Sequence, residues 1–148
     1  MSNIHTPSKH VLAKPSIAIA ARTTALNGIG VDCRGYTRAL VIFNVAAHDR
    51  TTGDETLDVK IQESQDDGSV DTYADVTSAA FAQIAGQTIT ATKGLTFLMD
   101  IDLTQRERWL RAVGTPAGTT PVDTYTVTIL LLNPVEKPPA QDQTVISV

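Results

Sequence analysis

Hydrophobic and polar residues alternate along much of the chain. Leu57, Val59 and Ile61 are interleaved with Asp58, Lys60 and Gln62, the two-residue period of a strand with one buried and one wet face. Phe97, Met99, Ile101 and Leu103 repeat the pattern against Leu98, Asp100 and Asp102. Tyr125, Val127, Ile129 and Leu131 do so against Thr124, Thr126 and Thr128, after which the segment is wholly apolar. Ala39–Ala47 is nearly continuous apolar sequence, as in a central strand covered on both faces. A shorter strand is expected where Trp109, Arg111 and Val113 alternate with Leu110 and Ala112, with Trp109 anchoring the core. Ile17–Ala21 and Ile29–Asp32 bring the expected number to about seven or eight. Turn residues separate these segments at Asn27-Gly28, Arg34-Gly35, Thr51–Asp54, Asp66-Asp67-Gly68, Ala85-Gly86 and Thr115–Gly118. One short helix is expected over Val76–Ile84, with Thr77 as N-cap. The pattern predicts an all-β fold: an antiparallel, jelly-roll-like β-sandwich.

Composition agrees. Of 148 residues, 21 Thr, 13 Val and 11 Ile are β-branched, against 4 Glu, a mixture suited to sheets and unsuited to a helical bundle. Twelve Lys and Arg against 16 Asp and Glu give a net charge of -4, so no global basic field favours nucleic acid or an anionic membrane. The longest apolar runs, Ala39–Phe43 and Ile129–Leu132, fall far short of the roughly 20 residues of a membrane helix. The N-terminal residues lack the apolar region of a secretory signal. A lone Cys33 excludes a disulfide and fits synthesis in a reducing cytoplasm.

The two ends differ from the middle. Residues 1–22 carry Lys9, Lys14 and Arg22, no acid, and Pro7 and Pro15; residues 134–148 carry Pro138-Pro139 and then Val145 and Ile146. Both are expected to be extended, either as arms fixed against a neighbouring molecule or as unordered ends. They flank a sandwich domain over residues 23–133.

Little chemistry is expected. The histidines are His5, His10 and His48, and a Cys33–His48 pair is outweighed by a thiol acting as a small buried hydrophobe. No nucleophile elbow, phosphate loop, dinucleotide fingerprint or zinc-protease motif occurs. Nine acids between Asp49 and Asp75 face only Arg50 and Lys60. Ser64–Ser69 offers oxygens for Ca²⁺ but lacks EF-hand spacing, and a solvated hairpin tip explains it better. Asp100 and Asp102 share one strand face, so they do not bracket a glycosidic bond. Arg106, Arg108 and Arg111 surround Trp109, yet Arg108 and Trp109 point to opposite sides of a strand, which breaks a stacking platform for bases. These arginines are expected to pair with Asp100, Asp102 or a partner's acids. No catalytic residue, metal or cofactor is expected.

Three stretches carry a resemblance. Leu26–Val45 runs from a short strand through Arg34-Gly35-Tyr36 into a long apolar strand; Leu57–Phe81 holds the L-x-V-x-I-Q-E-S strand, an Asp-Asp-Gly hairpin and its return; Arg108–Pro134 holds an aromatic-L-R-A-V strand, a Gly/Thr loop and a closing apolar strand. In order and spacing these resemble the small β-sandwich structural proteins of tailed bacteriophages, capsid decoration (cement) proteins in particular. Ser64, Asp66 and Gly68 also resemble the Asp-box hairpin of sialidases, with the aromatic displaced to Tyr73. The decoration resemblance implies a non-enzymatic protein, made in the host cytoplasm, that sits on the outer capsid surface of a virion. It would bridge neighbouring major capsid proteins and stabilise the shell, without contact to nucleic acid or membrane. It implies self-association, as a trimer first and a dimer second, and capsid contacts through Lys9, Lys14, Arg22, Pro138, Val145 and Ile146. A phage tail or adaptor subunit and a carbohydrate- or host-surface-binding module are the alternatives.

Overall fold

In a computed structural model describing residues 11–86 and 94–135, the chain forms ten strands and no α-helix among those residues. They are β1 (Val11–Arg22), β2 (Leu26–Asn27), β3 (Val31–Asp32), β4 (Tyr36–Ala47), β5 (Thr56–Ser64), β6 (Ala74–Ala80), β7 (Ile84–Ala85), β8 (Leu95–Asp102), β9 (Trp109–Ala117) and β10 (Asp123–Pro134). One four-stranded sheet has the order β1-β10-β4-β8. The facing sheet has the order β2-β9-β5-β6, with β3 also pairing β9 and β7 pairing β5. All pairings are antiparallel. The result is the β-sandwich that the alternation predicts, with ten strands rather than seven or eight because several turns carry two-residue ladders.

The inward phase of each strand supplies the core. Val41, Phe43 and Val45 of β4 meet Leu57, Val59 and Ile61 of β5 across the gap, with Val127, Ile129 and Leu131 beside them. Phe43 is the aromatic centre: its ring lies 5.2 Å from Phe81, 5.5 Å from Phe97 and 6.1 Å from Tyr125 between centroids. Offset and edge-on rings at such distances add to what their area alone contributes.

Three expectations need correction. The helix over Val76–Ile84 is instead β6 and its exit. Between Lys60 and Gln62 of β5 the β6 register jumps from Ala80 to Asp75, and Ser78 within that bulge has φ 64°. The bulge puts Val76 and Ala79 both inside, three residues apart, which in sequence imitates one helical turn. Second, the segment expected as an arm is, from Val11 to Arg22, an edge strand of its own sheet, with Ile17 only 1% exposed. Register shifts around Ser16 let the strand accommodate Pro15, which cannot donate to a ladder. Third, Trp109 does not anchor the core. Leu110 and Ala112 are the inward residues of β9, and Trp109 is half-buried on the outer face. Gly114 shows why that strand is small inside: a Cβ there would lie 2.1 Å from the Tyr125 hydroxyl.

Candidate interaction surface

The two outer faces of the sandwich have opposite character. On the six-stranded sheet, neighbouring residues satisfy one another. Arg111 donates to Gln62 at 2.8 and 3.0 Å and lies 4.0 Å over the Tyr73 ring; Arg108 pairs with Asp32 at 2.6 Å and lies 5.3 Å from the Trp109 ring. Arg106 pairs with Glu63 at 3.2 Å, and Lys60 with Asp75 at 2.7 Å. The three arginines thus pair with Asp32, Glu63 and Gln62 rather than Asp100 or Asp102, because β9 lies beside β3 and β5. Asp100 is paired with Arg38 of β4 instead. The Arg108 guanidinium holds Asp32 below the usual carboxylate range, and burial together with the Asp67 hydrogen bond pushes the Tyr73 phenol up.

The acidic hairpin is similarly committed. The Ser64 hydroxyl accepts the Gly68 amide at 2.9 Å and donates to the Asp71 carbonyl at 2.8 Å. Asp66 accepts the amides of Ser69, Val70 and Asp71 at 2.8–3.1 Å. Burial works to raise its pKa, but those amides together outweigh it and hold the carboxyl low. The oxygens considered for a cation close a turn. Among the described residues no group of three or more His, Cys, Asp or Glu is placed to hold a metal.

The outer face of the four-stranded sheet is different. Register places Ala13, Leu130 and Leu40 in one row, ending at Asp100, and Pro15, Thr128, Ile42 and Leu98 in the next. Val11, Leu132 and Arg38 follow on one side, and Thr126, Asn44 and Thr96 on the other. Leu40, Ile42, Leu130 and Leu132 are half-buried and Leu98 is 63% exposed, while Ile19, 64% exposed, stands in the register shift of β1 between Ile17 and Ala20. An apolar stripe rimmed by polar rows on an outer sheet face has the composition of a contact surface. Both ends of the described core leave from one end of this sheet: Val11 pairs Leu132, and the Val135 amide donates to the Gly35 carbonyl at 2.8 Å.

Lys14 and Arg22 are not on that face. Both are half-buried on β1, eight positions apart, and they pair with the inward residues Ile129 and Asp123. Lys9, Pro138, Val145 and Ile146 lie outside the described residues. The sequence reading missed the apolar face because it took Ala39–Ala47 as covered on both faces; the even spacing of Leu40 and Ile42 opposite Val41 and Phe43, and of Leu130 opposite Ile129, was the available signal.

One buried polar cluster also went unforeseen. His48 Nδ1 stands 2.5 Å from Asp123 Oδ1, with side chains 2% and 0% exposed. Burial raises the Asp123 pKa, opposed by the His48 hydrogen bond, and burial also pushes up the neighbouring Tyr125 phenol. Cys33, considered as a partner for His48, instead directs its thiol to the Val31 carbonyl at 3.4 Å. Burial pushes that thiol up to about 12, so it is not a nucleophile at neutral pH.

No protein-family model and no curated protein sequence matches this chain. Solved structures do share its fold. One is the SPBc2 prophage-derived protein YomS, with a TM-score of 0.51 and 10% identity, covering 83% of this chain and 93% of that one. Another is the infectious bursal disease virus VP2 subviral particle, with a TM-score of 0.51 and 11% identity over 86% of this chain and 33% of the VP2 chain. At such identities the likeness is one of fold.

Proposed function

We propose that this chain is a virion structural protein that decorates a phage head: it binds the outer capsid surface, bridges neighbouring major capsid proteins and stabilises the shell. The observation that carries the reading is the apolar outer face of the β1-β10-β4-β8 sheet, with both ends of the described core leaving from one end of it. An apolar sheet face suits a protein laid on a lattice, where repeated modest contacts become high avidity. Folds shared with a prophage-derived protein and with a viral capsid particle agree with such a setting.

The reading is non-enzymatic. The His48–Asp123 pair is the sort of couple a general base needs, but its closure from solvent leaves no room for a substrate. The carbohydrate-module alternative is weakened because Arg108 and Arg111 already lie over the rings of Trp109 and Tyr73.

Purified protein added to particles lacking it should bind in a fixed copy number and raise the temperature at which the shell releases its genome. Absence of binding together with unchanged shell stability would overturn the proposal. Assembly into rings or tubes without capsid would favour a tail subunit.

A further inference from the structure

A two-sheet sandwich has four lateral edges, and three of these are closed to further pairing. β1 carries Pro15 and its register shifts, and Ser16 ties it to β9 through a 2.9 Å hydrogen bond from the Ala112 amide. The β2 and β3 edge is built of two-residue strands. β6 is bulged at Ser78. β8 is different. All eight of its residues pair with β4 without a register shift, it holds no proline or lysine, and among the described residues nothing pairs with its other side. Natural sheets blunt such edges, because a straight unpaired strand is a template for another. A groove of about 270 Å³ runs beside it, floored by Val76 and Ala79 of β6 and Met99 and Ile101 of β8.

We propose that β8 pairs antiparallel with β8 of a second copy about a two-fold axis, joining the two four-stranded sheets into one continuous sheet. The residues themselves suggest the register. Centred on Leu98, the pairing sets Leu98 against Leu98, Thr96 opposite Asp100, Phe97 opposite Met99, Leu95 opposite Ile101 and Asp102 opposite Gly94. No like charges meet, Asp100 keeps Arg38 as its own partner, and the 63% exposed Leu98 is covered on the strand pair. The inner apolar rows of both copies run edge to edge over the groove. A two-fold interface is self-complementary, so one strand suffices for both halves. The pairing is independent of the virion reading and selects the dimer over the trimer.

A competing occupant is residues 136–148, which follow β10 two strands away from the edge. Sedimentation of the full chain separates the two. Wild type should sediment as a dimer, and Leu98→Lys should weaken self-association at least tenfold with unchanged circular dichroism. Leu98→Cys should give a disulfide-linked dimer under oxidation that wild type, with Cys33 buried, does not give. A chain ending at Val135 should remain dimeric. A monomeric wild type, self-association indifferent to Leu98→Lys, or dissociation on truncation alone would overturn the proposal.

Discussion

The Ser16 hydroxyl accepts the Ala112 amide at 2.9 Å and joins the first strand to the ninth across the gap between sheets. It also donates to the Ile29 carbonyl at 2.8 Å, so one side chain from the four-stranded sheet satisfies a donor and an acceptor of the facing sheet. Gly28 gives it room, since a Cβ there would lie 2.5 Å from Ser16 Oγ. Ser16→Ala leaves both backbone groups without their partner, and a buried unsatisfied polar group costs about 1–3 kcal/mol. Urea unfolding should show a loss of about 2–4 kcal/mol, with a lower midpoint and unchanged slope. Gly28→Ala should destabilise as well, by displacing that hydroxyl.

The loop from Asp49 to Glu55 is a clasp that acid should open. Thr52 donates its amide to Glu55 at 2.8 Å and Gly53 does so at 2.7 Å, while Asp54 accepts the Thr119 hydroxyl at 2.9 Å. The Thr52 hydroxyl is the main cause holding both Glu55 and Asp54 below their ordinary values of 4.5 and 3.8. A carboxyl with a depressed folded pKa stabilises above its unfolded value and loses that contribution as pH falls through the folded one. The melting temperature should therefore hold steady from neutral pH to about 5 and drop below about 4.5. Glu55→Gln should lower it at neutral pH and flatten the acid limb.

His48 and Asp123 predict a dependence of opposite sign. Removing one partner of a buried pair costs about 3–5 kcal/mol, because the other is left charged in a dry site. His48→Leu should cost that much at pH 7.5. Burial already raises the Asp123 pKa, and loss of the histidine raises it further. A carboxyl with a raised folded pKa is tolerated when protonated and destabilises as pH rises through that value. The variant should thus recover part of its deficit relative to wild type at pH 5. Equal deficits at both pH values would show that Asp123 is not the stranded charge.

Strand-by-strand, legibility followed how simple each ladder is. β5 and β10 read correctly from alternation because each is central in its sheet and keeps alternating burial along its own length even where its neighbours β6 and β1 are bulged. β9 read out of phase because Trp109 was assigned inward by size, whereas inner space at that level is taken by Tyr125 from the facing sheet and only Ala112 and Gly114 fit beneath it. β6 read as a helix because its bulge makes buried positions recur at three. β1 read as a strand over Ile17–Ala21 but was placed in an arm because Pro15 and the absence of acids marked it as unpaired; its partner β10 is more than a hundred residues away, and no local pattern reports such pairing. The same holds for the interaction face, whose rows Ala13-Leu130-Leu40 and Pro15-Thr128-Ile42-Leu98 exist only once those distant strands are in register.

That face yields the sharpest functional prediction. Ile19 is largely exposed and Leu130 half-buried, so Ile19→Asp should change stability by no more than about 0.5 kcal/mol and Leu130→Asp by about 1–2. If the sheet lies on the capsid, a desolvated carboxylate at either place costs far more in binding than in folding. Both variants should remain folded and lose retention on particles in co-sedimentation, with the double variant losing it entirely. Arg111→Ala, on the opposite face, removes the stack on Tyr73 and should leave retention unchanged. The contrast between the faces decides the orientation: loss of retention confined to the six-stranded side would reverse it, because the paired charges of Lys60, Arg108 and Arg111 would then be what meets the shell.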